Sequence, residues 1–155
     1  MLNLEPLAID HDAVFLQIAG SKRGERKDRL LALAPEISRD FSKYMAATNS
    51  LATIVSAGYD SDQSNDLRDC YKGRTDALEQ LLARIRWSQS TIAQTKCQYC
   101  EIGSPDTFDH YLPEGTFPEY SVLALNLVPC CHLCNSKKSN IFLVSGQRQF
   151  LNLYF

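Results

Sequence analysis

Long apolar runs are missing from this chain. No window of its 155 residues approaches the ~20 apolar residues that cross a bilayer, and the opening MLNLEPLAID has no basic segment ahead of an apolar one, as a secretion signal would. These absences point away from a membrane and toward the cytoplasm. A positive excess is missing too. Lys and Arg number 16 against 18 Asp and Glu, a net charge of -2, which argues against a protein that coats nucleic acid with its whole surface but leaves room for a local site. Internal repeats and low-complexity tracts are absent, so neither a solenoid nor a disordered chain is indicated. One further absence is local: no acidic residue follows Cys130, while Lys137, Lys138 and Arg148 are basic. A small positive patch of this kind is enough to meet phosphates.

What is present divides into two halves of unlike character, in a length that suits one domain or a small module on a helical base. Residues 1–91 follow a helical pattern. Leu30, Leu31, Ala34, Ile37, Phe41, Tyr44 and Met45 recur at three- and four-residue intervals, the spacing of one helix face. One helix is expected to end near Leu33 and another to start at Pro35, since proline suits a first turn and Glu36 favours its positive dipole end. A short third helix is expected from Leu51 to Gly58, then a loop over Asp60 to Asn65. A longer helix follows, with Leu67, Tyr71, Leu78, Leu81, Leu82 and Ile85 on one stripe, weakened at Gly73. The basic run from Ser21 to Arg29, interrupted by Glu25 and Asp28, reads as a solvated helix face.

Past about residue 92 helical periodicity stops, and cysteines, prolines and short extended runs take over. Of six cysteines, four form C-x-x-C pairs: Cys97 with Cys100, and Cys131 with Cys134. In a reducing compartment such pairs are metal ligands rather than disulfides. Two residues between thiolates let one turn present both sulfurs, and two turns close a tetrahedral Zn²⁺ site with no place for water, so the expected zinc is structural. Buried or redox-active thiols are the alternative. Cys130 and Cys70 lack the spacing for a pair and are expected in the core.

Between the two pairs lie FDHYLPE, then FPEYSVLALNLVP. Strands are expected over Thr107 to Leu112 and Ser121 to Val128, with a short helix from Cys134. That order would bring Asp109, His110 and Asn135 together. The succession C-x-x-C, D-H-x-x-P, N-L-V, C-x-x-C-N-x-x-K resembles the HNH nucleases with their ββα-metal, treble-clef-like fold, over about residues 95 to 140. The resemblance implies an α+β protein, a helical region at 1–91 followed by a zinc-stabilised HNH domain at 92–155.

It also implies roles. A metal-dependent endonuclease hydrolyses phosphodiester bonds in DNA with a histidine as general base and a divalent cation to hold the phosphate charge. His110 would be the base, and Asp109 and Asn135 would hold Mg²⁺ or Mn²⁺. Asn126 would brace the loop behind the histidine. Asparagine at 135 stands where histidine is frequent in the family. Lys137 and Lys138 would contact the DNA backbone, or simply end a helix in solvent. His132, between the cysteines, is not the third family residue and is expected to face solvent or touch a phosphate. Taken alone, Asp109 and His110 would suit an Asp-capped turn with a satisfied histidine. The two thiolate pairs, Asn126 and Asn135 reverse that preference.

More narrowly, the run from Asp109 to Lys138 is similar to HNH proteins that act beside an ABC-type ATPase in Septu-like and retron-linked anti-phage defence. The N-terminal helices would then dock the ATPase. A non-catalytic zinc module that binds nucleic acid or a protein is the competing reading. It would need the four cysteines but not the Asp109–His110 pair. The apolar ending FLNLYF is expected either to pack on the helical half or a partner, or to precede further chain.

Overall fold

The computed structural model describes residues 3–155, which fold into seven α-helices, three 3₁₀ turns and two small antiparallel sheets, a mixed α+β arrangement. Helix α1 (His11–Gly20) starts where the Asp10 carboxylate accepts the Ala13 N–H, a cap the periodicity did not signal. Helices α2 (Gly24–Ala32) and α3 (Ala34–Ala46) meet at Leu33, with Pro35 in the first turn of α3. Met45, expected in the core, is exposed at the end of α3.

The basic run is not wholly solvated. Lys22, in the turn before α2, is buried, while Arg26 and Arg29, three residues apart on α2, stay half-exposed and reach with their head groups the neighbouring helix that carries Asp66. The buried Lys22 ammonium donates to the carbonyls of Asp69 and Gly73, while Arg26 and Arg29 hold the buried Asp66. Burial alone would raise the Asp66 carboxyl, but the hydrogen bonds from Arg29 and Arg26 outweigh it, so it titrates below its ordinary value.

The third helix expected from Leu51 to Gly58 is a single 3₁₀ turn, Leu51–Thr53, after which Ile54 is extended. Thr53, Ile54 and Val55 form a β-branched run, which disfavours helix. The expected loop at Asp60 to Asn65 is instead the start of α4 (Ser61–Lys72). Asp60 and Gln63 close a reciprocal capping box, so the polar residues are helix-starting chemistry rather than loop. The long helix expected beyond them breaks near Gly73, and Thr75 caps α5 (Asp76–Trp87) by accepting the Leu78 N–H. A short α6 (Thr91–Thr95) leads to the first cysteine pair.

Strand β1 (Thr107–His110) pairs antiparallel with β2 (Leu127–Cys130), with Asp109 opposite Val128 and His110 opposite Leu127. Both expected strands were too long. After a 3₁₀ turn at Pro118–Tyr120, the chain from Ser121 to Asn126 runs through a turn and a second 3₁₀ turn at Ala124–Asn126 rather than a strand. Helix α7 (His132–Lys138) begins two residues earlier than expected and packs on β1. Strands β3 (Leu143–Val144) and β4 (Gln147–Arg148) make a small hairpin, turned by Ser145 and Gly146 at positive φ.

One core joins the two halves, running from Leu4 through Phe41, Tyr44 and Leu82 to Tyr120, Leu127 and Tyr154, and the buried cysteines form a second, smaller cluster. The Tyr44 hydroxyl donates to the Leu125 carbonyl, and its ring meets Tyr120 edge-on. Residue 92 thus marks a change of sequence texture rather than a break in packing. The apolar ending folds back: Leu153 and Tyr154 are buried, the Leu4 N–H donates to the Leu153 carbonyl, and the Tyr154 hydroxyl to the Leu127 carbonyl. Among the described residues no helix is long and apolar enough to cross a membrane.

Candidate metal centre and adjoining cleft

The two C-x-x-C turns bring the sulfurs of Cys97, Cys100, Cys131 and Cys134 within 4.8 Å of one another. Four sulfurs at about 2.3 Å from a tetrahedral Zn²⁺ lie about 3.8 Å apart, and those of Cys100 and Cys131 are 3.8 Å apart. All four thiols are free, so the donor set fits one closed structural zinc. The cluster is built for thiolates unevenly. N–H groups of Gly103 and Ile102 bring the Cys100 thiol down to about 6, whereas burial pushes Cys97 and Cys134 up. Binding a divalent ion here releases protons. Gly103 makes the close approach possible, because a Cβ there would stand 2.8 Å from the Cys131 Cβ. Cys130 and Cys70 are buried, as expected of core thiols.

Next to the cluster, β1 and α7 carry the polar residues. Asn135, on α7, donates its Nδ2 to the Phe108 carbonyl and the Thr107 hydroxyl. A carbonyl only accepts, so this fixes the amide's orientation, and among the described residues Oδ1 has no hydrogen-bond donor. Asp109 is buried, with Oδ1 on the Lys138 ammonium at 3.0 Å and Oδ2 accepting from the Tyr99 hydroxyl at 2.9 Å. Two hydrogen bonds leave part of a carboxylate's lone-pair capacity open, and carboxylate and amide oxygens are donor types that a hard divalent cation takes. Burial pushes the Asp109 carboxyl up and the Lys138 amine down, and each opposes the other's shift.

Lys138 corrects the sequence reading. Expected as a DNA-backbone contact, it is fully buried and donates to both Asp109 and the His110 carbonyl. The signal was available: Cys131, Cys134 and Lys138 share the inward face of one helix by their three- and four-residue spacing. Lys137 is exposed, and so is His132, whose ring meets the Ser136 hydroxyl.

The His110 ring is set by two contacts. Nε2 lies 2.9 Å from the Ser121 carbonyl, which can only accept, so Nε2 carries the hydrogen and Nδ1 the lone pair. Burial holds the imidazole below its ordinary 6.5, leaving it neutral at pH 7. The Tyr71 ring of α4 meets it edge-on with centroids 4.4 Å apart. Asn126 stands behind, fully buried. It accepts the Leu112 N–H and donates to the Leu112 and Tyr120 carbonyls, tying together the chain that follows His110.

Asp109, His110 and Asn135 line one wall of a cleft of about 680 Å³. The facing wall comes from α4, α5 and the turn between them, with Tyr71, Lys72, Arg74, Arg86 and Trp87. Sequence reading found no chemistry in that half, because these residues lie on stripes that otherwise look like ordinary helix faces. Glu114, also in the cleft, bonds Lys72 at 3.0 Å through one oxygen while its other oxygen is buried with no hydrogen-bond partner among the described residues.

No protein-family profile matches the chain, and no solved structure matches it. The chain is similar to protein ea31 of Escherichia phage lambda, 41% identical over 61 residues. That stretch is 38% of this chain and 21% of the phage protein, so the match spans about a fifth of that relative's length.

Proposed function

We propose that this chain is a metal-dependent HNH endonuclease with a ββα-metal site, hydrolysing phosphodiester bonds in DNA. Support comes above all from one observation: Asp109, His110 and Asn135 line a single cleft wall beside the four-cysteine cluster. A neutral His110 accepts a proton at Nδ1 from the attacking water, and the Ser121 carbonyl holds the ring through both protonation states. Asp109 and the Asn135 Oδ1 would hold Mg²⁺ or Mn²⁺, which when bound would neutralise charge on the phosphate oxygens. Lys138 steadies Asp109 from behind, and Tyr71 limits rotation of the histidine ring. By the resemblance in its sequence, the protein acts in anti-phage defence with an ABC-type ATPase docked on the N-terminal helices. A pull-down from the native host that yields no ATPase would remove that part.

One observation favours the non-catalytic alternative. Lys138 already neutralises Asp109, so a buried ion pair stands where a cation ligand is required. Incubation of supercoiled plasmid with zinc-loaded protein separates the two. Nicking that needs added Mg²⁺ or Mn²⁺ and stops with EDTA supports the nuclease, and an intact plasmid under all conditions supports the binding module.

A further inference from the structure

We infer that the α5 wall of the cleft binds a single, unpaired nucleic-acid strand, with Arg86 taking a phosphate and Trp87 stacking on a base. The inference rests on the proposed nuclease and narrows its substrate class.

Arg86 carries the electrostatic half. Three cationic side chains line the cleft, and two already have an anion: Lys72 on Glu114 and Arg74 on Glu79. Arg86 is half-buried over the Phe108 ring, 5.3 Å from its centroid, and its Nε is buried without a hydrogen-bond partner. Among the described residues it has no ion pair. A guanidinium kept partly out of water with no counter-charge needs an anion from elsewhere, and its planar fork matches a phosphate. The stack on Phe108, the residue before Asp109 on β1, ties this cation to the strand that carries His110.

Trp87 carries the other half. It is the chain's single tryptophan, it lines the same cleft, and it is 71% exposed. A large exposed ring beside a cation is a platform for a base. Bases inside a duplex are already stacked on their neighbours and offer no free face, so such a platform selects strands that are single or locally opened. The acidic balance of the whole protein fits as well. With a net charge of -2, a long duplex gains little from general attraction, and binding must come from a few placed contacts.

The test uses the intrinsic fluorescence of Trp87, read while zinc-loaded protein is titrated with a single-stranded oligonucleotide or its duplex, without added Mg²⁺ or Mn²⁺. Cleavage plays no part under those conditions, so a failure here leaves the nuclease proposal to its own assay. The single strand is expected to quench the emission and to bind about tenfold more tightly than the duplex, within the range of one base–aromatic stack. Arg86→Gln is expected to lose about tenfold in affinity and to lower the salt slope by about 0.7, the loss of one phosphate contact on a single strand. Arg84→Gln, on the same helix but outside the cleft, is expected to change affinity less than about twofold. Equal binding of both forms, an unquenched tryptophan, or equal losses from the Arg86 and Arg84 variants would each overturn the inference.

Discussion

Asn126 shows how a single side chain holds the candidate site. Its amide satisfies one N–H and two carbonyls of the segment after His110, all buried. Asn126→Ala leaves those groups unpaired and is expected to destabilise the fold by about 3 kcal/mol or more, measured by urea unfolding. The sequence pattern singles out Asn126, whereas the burial of Lys138 leaves no such mark, because lysine at a helix end usually means solvent. As the proposed base, His110 would set the pH dependence. Burial lowers its folded value below 6.5, so the neutral form that the proposed mechanism needs persists below the ordinary histidine midpoint. The acid limb of the cleavage rate is therefore expected below pH 6.5. The same shift makes its contribution to stability complete above 6.5 and lost as pH falls through the depressed folded value. An acid limb above 6.5 would show that the ring is not held as described.

At the scale of elements, local chemistry decided what the sequence could reveal. The C-x-x-C turns were legible because metal geometry dictates their spacing. Asp60 and Gln63 were misread because capping boxes are made of the residues that also make loops. Gly73 was noticed but not recognised as a break between α4 and α5. Its structural reason is close approach, since a Cβ there would meet the Lys22 Nζ at 2.8 Å and displace the clasp that ends α4. Gly73→Ala is expected to cost about 1–3 kcal/mol, read from the denaturation midpoint. At the zinc cluster, metal analysis is expected to find one zinc per chain. Gly103→Ala, which crowds Cys131, should release that zinc at a lower chelator concentration than the unaltered chain.

Over the whole molecule, the helical and cysteine-bearing halves share one hydrophobic core. The core runs through both, and the wall facing His110 belongs to α4 and α5. This was hidden from sequence reading because composition changes near residue 92 while packing does not, and because contacts between distant segments leave no periodic trace. A fragment of residues 92–155 would expose Tyr120, Leu125 and Leu127, which are buried in the full chain. It is expected to lack a cooperative thermal transition even with zinc, by circular dichroism. An intact transition in that fragment would separate the halves after all. The central claim, that His110 is the base of a hydrolytic site, is tested most directly by Mg²⁺-dependent plasmid nicking with His110→Ala and the unaltered chain at matched zinc content. A loss of about 10²-fold or more is expected from removal of a general base, and an unchanged rate in a folded, zinc-loaded variant would contradict the account.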